Sequence, residues 1–234
     1  MKAILELIER RRSSYEQHPF IRFLRDDTVA PARRLSYAPF ASFFVLSFAD
    51  FNRRYLRAEA SPVGYQAMVD RHADEDSTHF SWFLHDLRIL GYDVECRVSD
   101  VLRFLWSDLG RHTRDLSYYA ISVTRGASAE LRLAIIEAVE SMGNVWLTAT
   151  LEAARAHPDG DRLVYFGPHH LERETGHAIG SAIEEIREIS LSPEDRARAE
   201  EIVHGFFDRM EAFNAELLER VDAASNVEFT ELLR

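Results

Sequence analysis

From end to end of this 234-residue chain, apolar residues recur three and four positions apart. No run of β-branched and aromatic residues alternates with polar ones between turn residues. That combination predicts an all-α protein. Set into the helical pattern is one seven-residue signature written twice, His72-x3-Asp76-x2-His79 and His170-x3-Glu174-x2-His177. At 100° per residue, positions i, i+4 and i+7 fall within an arc of about 60°. Each triplet can therefore aim three metal-capable side chains at one spot. Imidazole nitrogen and carboxylate oxygen suit iron, manganese and zinc, so the repeat points to a metal centre held between facing helices.

Turn residues divide the chain into about eight helical stretches, near 2–16, 19–26, 31–57, 62–90, 98–124 (broken near Gly110), 127–156, 161–189 and 193–223. Ser61-Pro62 and Ser192-Pro193 offer an N-cap followed by proline at the first helical position, and Gly91 is placed to close its helix in the left-handed conformation. No Ser/Gly linker or shift in composition marks a boundary, so residues 1–234 are expected to share one core. With 39 acidic against 28 basic residues and no basic block, the chain is a poor partner for nucleic acid. Glu6 and Glu9 interrupt the apolar N-terminus and spoil a signal-peptide reading, so the chain is expected to start at Met1. The most apolar stretch, Tyr37 to Phe51, is too short and too broken to span a bilayer. Its single cysteine, Cys96, excludes an internal disulfide and fits a reducing compartment, so a cytoplasmic location is expected. Phe20, Phe23 and Leu24, taken as exposed, point to a homodimer.

The first triplet interrupts an apolar stripe that runs Tyr65, Val69, then His72, Asp76, His79, then Phe83, Leu87 and Leu90. A buried carboxylate costs several kcal/mol unless it is paired or bound to a cation. A metal ion is one such partner; a hydrogen-bonded His–Asp network is the plainer one. Two copies in a chain with 10 histidines favour the metal. The stretch 127–156 supplies a further carboxylate, since Glu140 is the one charged member of the stripe Leu133, Ile136, Glu140, Gly143, Leu147 and Leu151. Glu137, about 60° away on the same side, is an alternative ligand, as is Glu75 for Asp76. His204, Asp208 and Glu211 echo the spacing, but they lie nearly opposite the apolar face of their helix, so a solvated face is expected. His169 and Glu172 point away from the second triplet. Zinc hydrolase and phosphate-loop motifs are absent, and seven candidate ligands suit two metals better than one closed zinc site.

These residues resemble the heme-oxygenase-like diiron oxidases, which share a fold with TenA-type thiaminases and pyrroloquinoline-quinone synthase. Asp76-x2-His79, Glu140 and His170-x3-Glu174-x2-His177 match that family's ligand motifs in order and approximate separation. The run Glu75-Asp76-x2-His79-x2-Trp82-Phe83-Leu84-x-Asp86-Leu87-x2-Leu90-Gly91 is similar to a subgroup of bacterial members. Glu174 stands where the family usually has aspartate, and His72 where some relatives carry a carboxylate. The resemblance implies a heme-oxygenase-like bundle of seven to eight helices holding two iron ions (Fe2+), or manganese with iron. It also implies O2 as co-substrate, a small organic substrate and an external electron donor. His72, Asp76, His79, Glu140, His170, Glu174 and His177 would be the ligands, and Phe83, Tyr118, Tyr119, Trp146 and Phe166 would line the substrate pocket. Two other readings stay open: a metal-free helical binding or scaffold protein, and a cofactor-independent TenA-like enzyme. Cys96 does not match the cysteine of thiaminase chemistry, and His18 is a weak match for a heme ligand.

Overall fold

The computed structural model describes residues 1–58, 62–175 and 182–224, with the backbone alone at 174–175 and 222–224. Among these residues every regular element is helical: α1 (Lys2–Tyr15), α2 (Pro19–Arg25), α3 (Pro31–Arg34), α4 (Ser42–Asp50), α5 (Tyr65–Asp76), α6 (Phe80–Ile89), α7 (Val98–Trp106), α8 (Arg111–Thr124), α9 (Ala129–Ala156), α10 (Pro168–Thr175), α11 (Ile183–Arg187) and α12 (Pro193–Ala224). None of them is long and apolar enough to cross a membrane.

The bundle is built around α9. Ser128 starts it by accepting the Leu131 N–H at 3.3 Å, and His157, held extended by the proline that follows, ends it. Ala134, Ala138, Ala149 and Ala153 are fully buried along it, and small side chains let neighbours approach closely. α1, α2, α5, α10 and α12 all pack against α9. A helix buried nearly all round is one whose carboxylates require partners. α12 begins as expected, with the Ser192 hydroxyl accepting the Asp195 N–H and donating to its carboxylate. From the middle of α12 the buried Glu216 accepts both the His112 and Thr113 N–H groups, capping α8, whose own N-cap is Gly110.

Gly91 closes α6 as expected. Its φ is +81°, Tyr92 N–H bonds Leu87 O at 2.8 Å, and Gly91 N–H bonds Arg88 O at 3.1 Å. The break near Gly110 is also present, as a short 3-10 turn at Asp108–Gly110. Three expected stretches differ. The 31–57 stretch divides at Pro39 into α3, a 3-10 turn and α4, and α4 then widens into a π-helical turn at Phe51–Leu56. The 62–90 stretch starts late, at Tyr65 after Gly64, and breaks at 77–79; Ser61 lies outside the described residues. The described residues of the 161–189 stretch fall in a 3-10 turn at Gly160–Arg162, α10 and α11. Phe20 and Leu24 are fully buried against α9 and Phe23 is half-buried, so the surface on which a homodimer was expected lies inside the chain.

Candidate metal centre

α5 ends at Asp76, where a side-chain bond and a tight turn replace the helical pattern. The Ser77 hydroxyl turns back to Asp74 O at 3.1 Å, and the His79 N–H closes a tight turn onto Asp76 O. The chain restarts as α6 with His79 at its N-cap. The break falls inside the first triplet, leaving His72 and Asp76 on one helix and His79 on the lip of the next. All three side chains are buried. Their expected common face is thereby divided into two directions.

In the first direction, His72 Nε2 lies 3.1 Å from Asp76 Oδ2 and 3.5 Å from Glu140 Oε1 on α9. The donor atoms of these three residues all fall within 4.8 Å of one another. In the second direction, the other Asp76 oxygen, Oδ1, lies 4.0 Å from His79 Nδ1, which in turn sits 3.1 Å from His170 Nε2 on α10. One carboxylate thus faces two histidine groups, one oxygen to each. Glu75 is exposed, whereas Asp76 is buried. Glu137 is half-buried one turn before Glu140. Burial pushes its carboxyl pKa up to about 7, with His72 pulling the other way. Of the remaining two residues of the second triplet, the Glu174 side chain and all of His177 lie outside the described residues.

The second histidine is oriented by a chain of contacts that begins on α6. Asp86, fully buried, accepts the Val164 N–H at 2.8 Å with one oxygen and the Phe166 N–H at 2.9 Å with the other. Burial raises its pKa, opposed by those N–H bonds. Gly167 completes the turn, since a Cβ there would stand 1.9 Å from Leu163 O. The loop so fixed turns the Tyr165 carbonyl onto His170 Nδ1 at 2.9 Å. That acceptor places the proton on Nδ1 and leaves the Nε2 lone pair of neutral His170 facing His79. His79 is held from the other side by Trp82, stacked on it at 4.3 Å between ring centres. Sequence reasoning gave Asp86 no role. The signal was its place on the His79–Phe83–Leu90 face, where an acid among apolar residues requires donors.

Two cavities meet at Glu140. The first, about 80 Å³, is walled by Phe44 and Phe48 of α4, Leu116 of α8, Met142 and Trp146 of α9 and Phe213 of α12, with Asp76, His79, Glu140 and His170 at one end. Of the five side chains expected to line a pocket, Trp146 alone is among its walls. Phe83 and Phe166 are core residues that touch each other edge-on at 5.9 Å. Tyr118 is exposed, edge-on to Phe43. Tyr119 lies under the Arg209 guanidinium at 3.9 Å, seated on Gly205 of α12. The aromatic wall from α4 was missed although Phe44, Phe48 and Phe51 stand at i, i+4 and i+7 in the most apolar stretch of the sequence. The second cavity, about 490 Å³, is polar: Lys2, Glu9 and Arg12 of α1 and Arg187 of α11 face His72, Glu137 and Glu140 across it.

The other sequence candidates lie elsewhere. His204, Asp208 and Glu211 form an exposed face on α12, all three clasped by Arg11 of α1. His169 is exposed against Trp82, and Glu172 is exposed. His18 caps α2 by accepting the Phe20 N–H, and Cys96 is at the surface.

No protein-family model matches the chain, and no curated protein matches it. Among solved structures, it is similar to a domain of unknown function with a heme oxygenase-like fold from Shewanella denitrificans OS217 and to a TenA homolog from Pseudomonas syringae pv. tomato DC3000. Each alignment has a TM-score of 0.64 and 16% identity, covering 93% of this chain and 91% of the other. The chain therefore has a heme oxygenase-like fold. Identity this low says nothing of activity.

Proposed function

We propose that the chain is a non-heme oxidase or oxygenase with a dinuclear site of two iron ions, or manganese with iron. The observation that carries this reading is the Asp76 carboxylate, one oxygen toward the His72–Glu140 group and the other toward the His79–His170 group. The donor set fits such ions. Its nitrogens and oxygens belong to the ligand types iron and manganese accept. It also gathers negative charge: two carboxylates within 4.8 Å repel by roughly 3 kcal/mol at an effective dielectric constant of about 20.

His72, Asp76 and Glu140 would hold one ion, and Asp76, His79 and His170 the other. Two such ions, when bound, supply the reduction of O2 coupled to oxidation of an organic substrate, with electrons from an external donor. The chain's own residues do the rest. The Tyr165 carbonyl keeps the His170 proton on Nδ1, so Nε2 is the ligating atom. Trp82 fixes the plane of His79. The aromatic wall of the smaller cavity keeps water from the Asp76–Glu140 end. The polar cavity brings water and ions to the opposite side of Glu140.

A second reading is favoured by a specific observation. His72 with Asp76 and His170 with His79 already stand at hydrogen-bonding distance, 3.1 Å in each case, so the cluster can serve a metal-free enzyme such as the TenA homolog it resembles in fold. Metal titration separates the two. Chelator-treated protein given Fe(II) or Mn(II) anaerobically should take up two ions per chain. Its melting temperature should rise by about 5–10 °C, the shift expected for ligand near 100 times its dissociation constant. His170→Ala should retain one ion. No uptake and no thermal shift in the wild-type protein would leave the metal-free reading.

A further inference from the structure

We infer that the smaller cavity binds a neutral, mainly apolar molecule carrying one hydrogen-bond acceptor, and that Gly143 sets how long that molecule can be. Three observations combine. Away from the Asp76–Glu140 end, the walls are aromatic and aliphatic, and no Lys or Arg is among them. A charged group lodged there would lose its hydration without a counter-ion. Trp146 and Tyr165 bring polar atoms to this lining, and the indole Nε1–H of Trp146, a residue 5% exposed, has no hydrogen-bond partner among the described residues. A buried donor left unmade is costly, and an acceptor on a ligand would satisfy it. Finally, Gly143 sits in the interior of a 28-residue helix, one turn from Glu140, where a Cβ would meet nothing within 4 Å. Neither packing nor backbone conformation requires glycine at that position, whose missing side chain keeps the cavity open.

The volume bounds the ligand. At about 80 Å³ the cavity is roughly half the size of an apolar cavity that admits benzene, near 150 Å³. A slim aliphatic chain fits better than a ring. Met142, an unbranched thioether in the wall, can re-pack to admit a few more carbons. This inference rests on the proposed function only in treating the Asp76–Glu140 end as the reacting end; binding itself needs no metal.

The test is a calorimetric titration of chelator-treated protein with the straight-chain alcohols from 1-butanol to 1-decanol, their carboxylates, and n-hexane. Alcohol affinity should tighten about fourfold per methylene until the cavity is full, then stop. The carboxylates, which meet Asp76 or Glu140 at one end and bare apolar wall at the other, should bind at least about tenfold more weakly. Trp146→Phe should weaken the alcohols by about tenfold and leave n-hexane unchanged. Gly143→Val should shorten the longest alcohol bound, with Gly143→Ala intermediate and helix content by circular dichroism unaltered; Phe48→Leu should lengthen it. Carboxylates binding as tightly as alcohols, no binding by any member, or affinities indifferent to residues 143 and 146 would overturn the inference. Metal uptake is measured separately, so failure of either reading leaves the other intact.

Discussion

α9 and the α5–α6 pair carry their site residues in opposite ways. α9 is unbroken from Ala129 to Ala156, and its carboxylates at 137 and 140 stand where the helical angle puts them, one turn apart on one side. α5 and α6 look equally continuous in sequence, yet the chain stops at Asp76 and restarts at Phe80. The unbroken helix presents a fixed edge. The broken pair decides how the groups facing that edge are shared, by turning His79 toward His170 while His72 stays with Glu140. Spacing places the candidate donors, and the break distributes them.

That contrast can be tested from its most sensitive point outward. Asp76 is where the two halves join, so Asp76→Asn should abolish uptake of both ions, lowering affinity by on the order of 100-fold or more, as read by metal analysis after dialysis; a ligand should cost at least as much as its outer-shell support. Asp86→Asn removes the charge that fixes the loop carrying Tyr165. It should lower stability by about 2–3 kcal/mol in denaturant melts and loosen the ion near His170 while sparing the one near His72. Equal loss at both would mean the two halves are not separable.

Glu137→Gln sharpens the α9 side. The folded-state pKa of Glu137 is raised, to about 7 from 4.5, so between those values the folded protein binds more protons than the unfolded chain. Stability therefore falls as pH rises through that window. In metal-free protein the wild type should lose up to about 2–3 kcal/mol from this group between pH 4.5 and 8, and the variant should lack that slope. The smallest effect is at Gly143. Replacing it with alanine in the open interior of α9 should raise stability by about 0.5–1 kcal/mol, a gain purchased with cavity space.

The helices, the left-handed close at Gly91 and the nearness of His72 to Asp76, four residues on, were legible in the sequence because they follow from local angles and turn chemistry. The break at 77–79 was not. Ser77 and Thr78 are only mildly unfavourable in a helix, and the groups that His72 and His79 face on either side of the break, Glu140 and His170, are residues that a periodic pattern cannot relate to them. Phe20 and Leu24 looked exposed for the same reason: the helix that carries them packs against α9 and α12, more than a hundred residues away. The cavity walls were missed because Phe44, Phe48 and Phe213 meet only through the crossing of α4 and α12. Tyr118 and Tyr119, expected to line the pocket, face surface and helix packing instead. Asp86 could have been found, since a carboxylate on a buried face calls for donors wherever they come from.

Whether two metal ions share the Asp76 carboxylate can be seen by anomalous diffraction from crystals of iron-loaded protein, collected on both sides of the iron edge. Two peaks are expected, one within bonding distance of His72, Asp76 and Glu140 and the other of Asp76, His79 and His170. A map without peaks at these residues, in crystals that hold iron, would rule the shared carboxylate out.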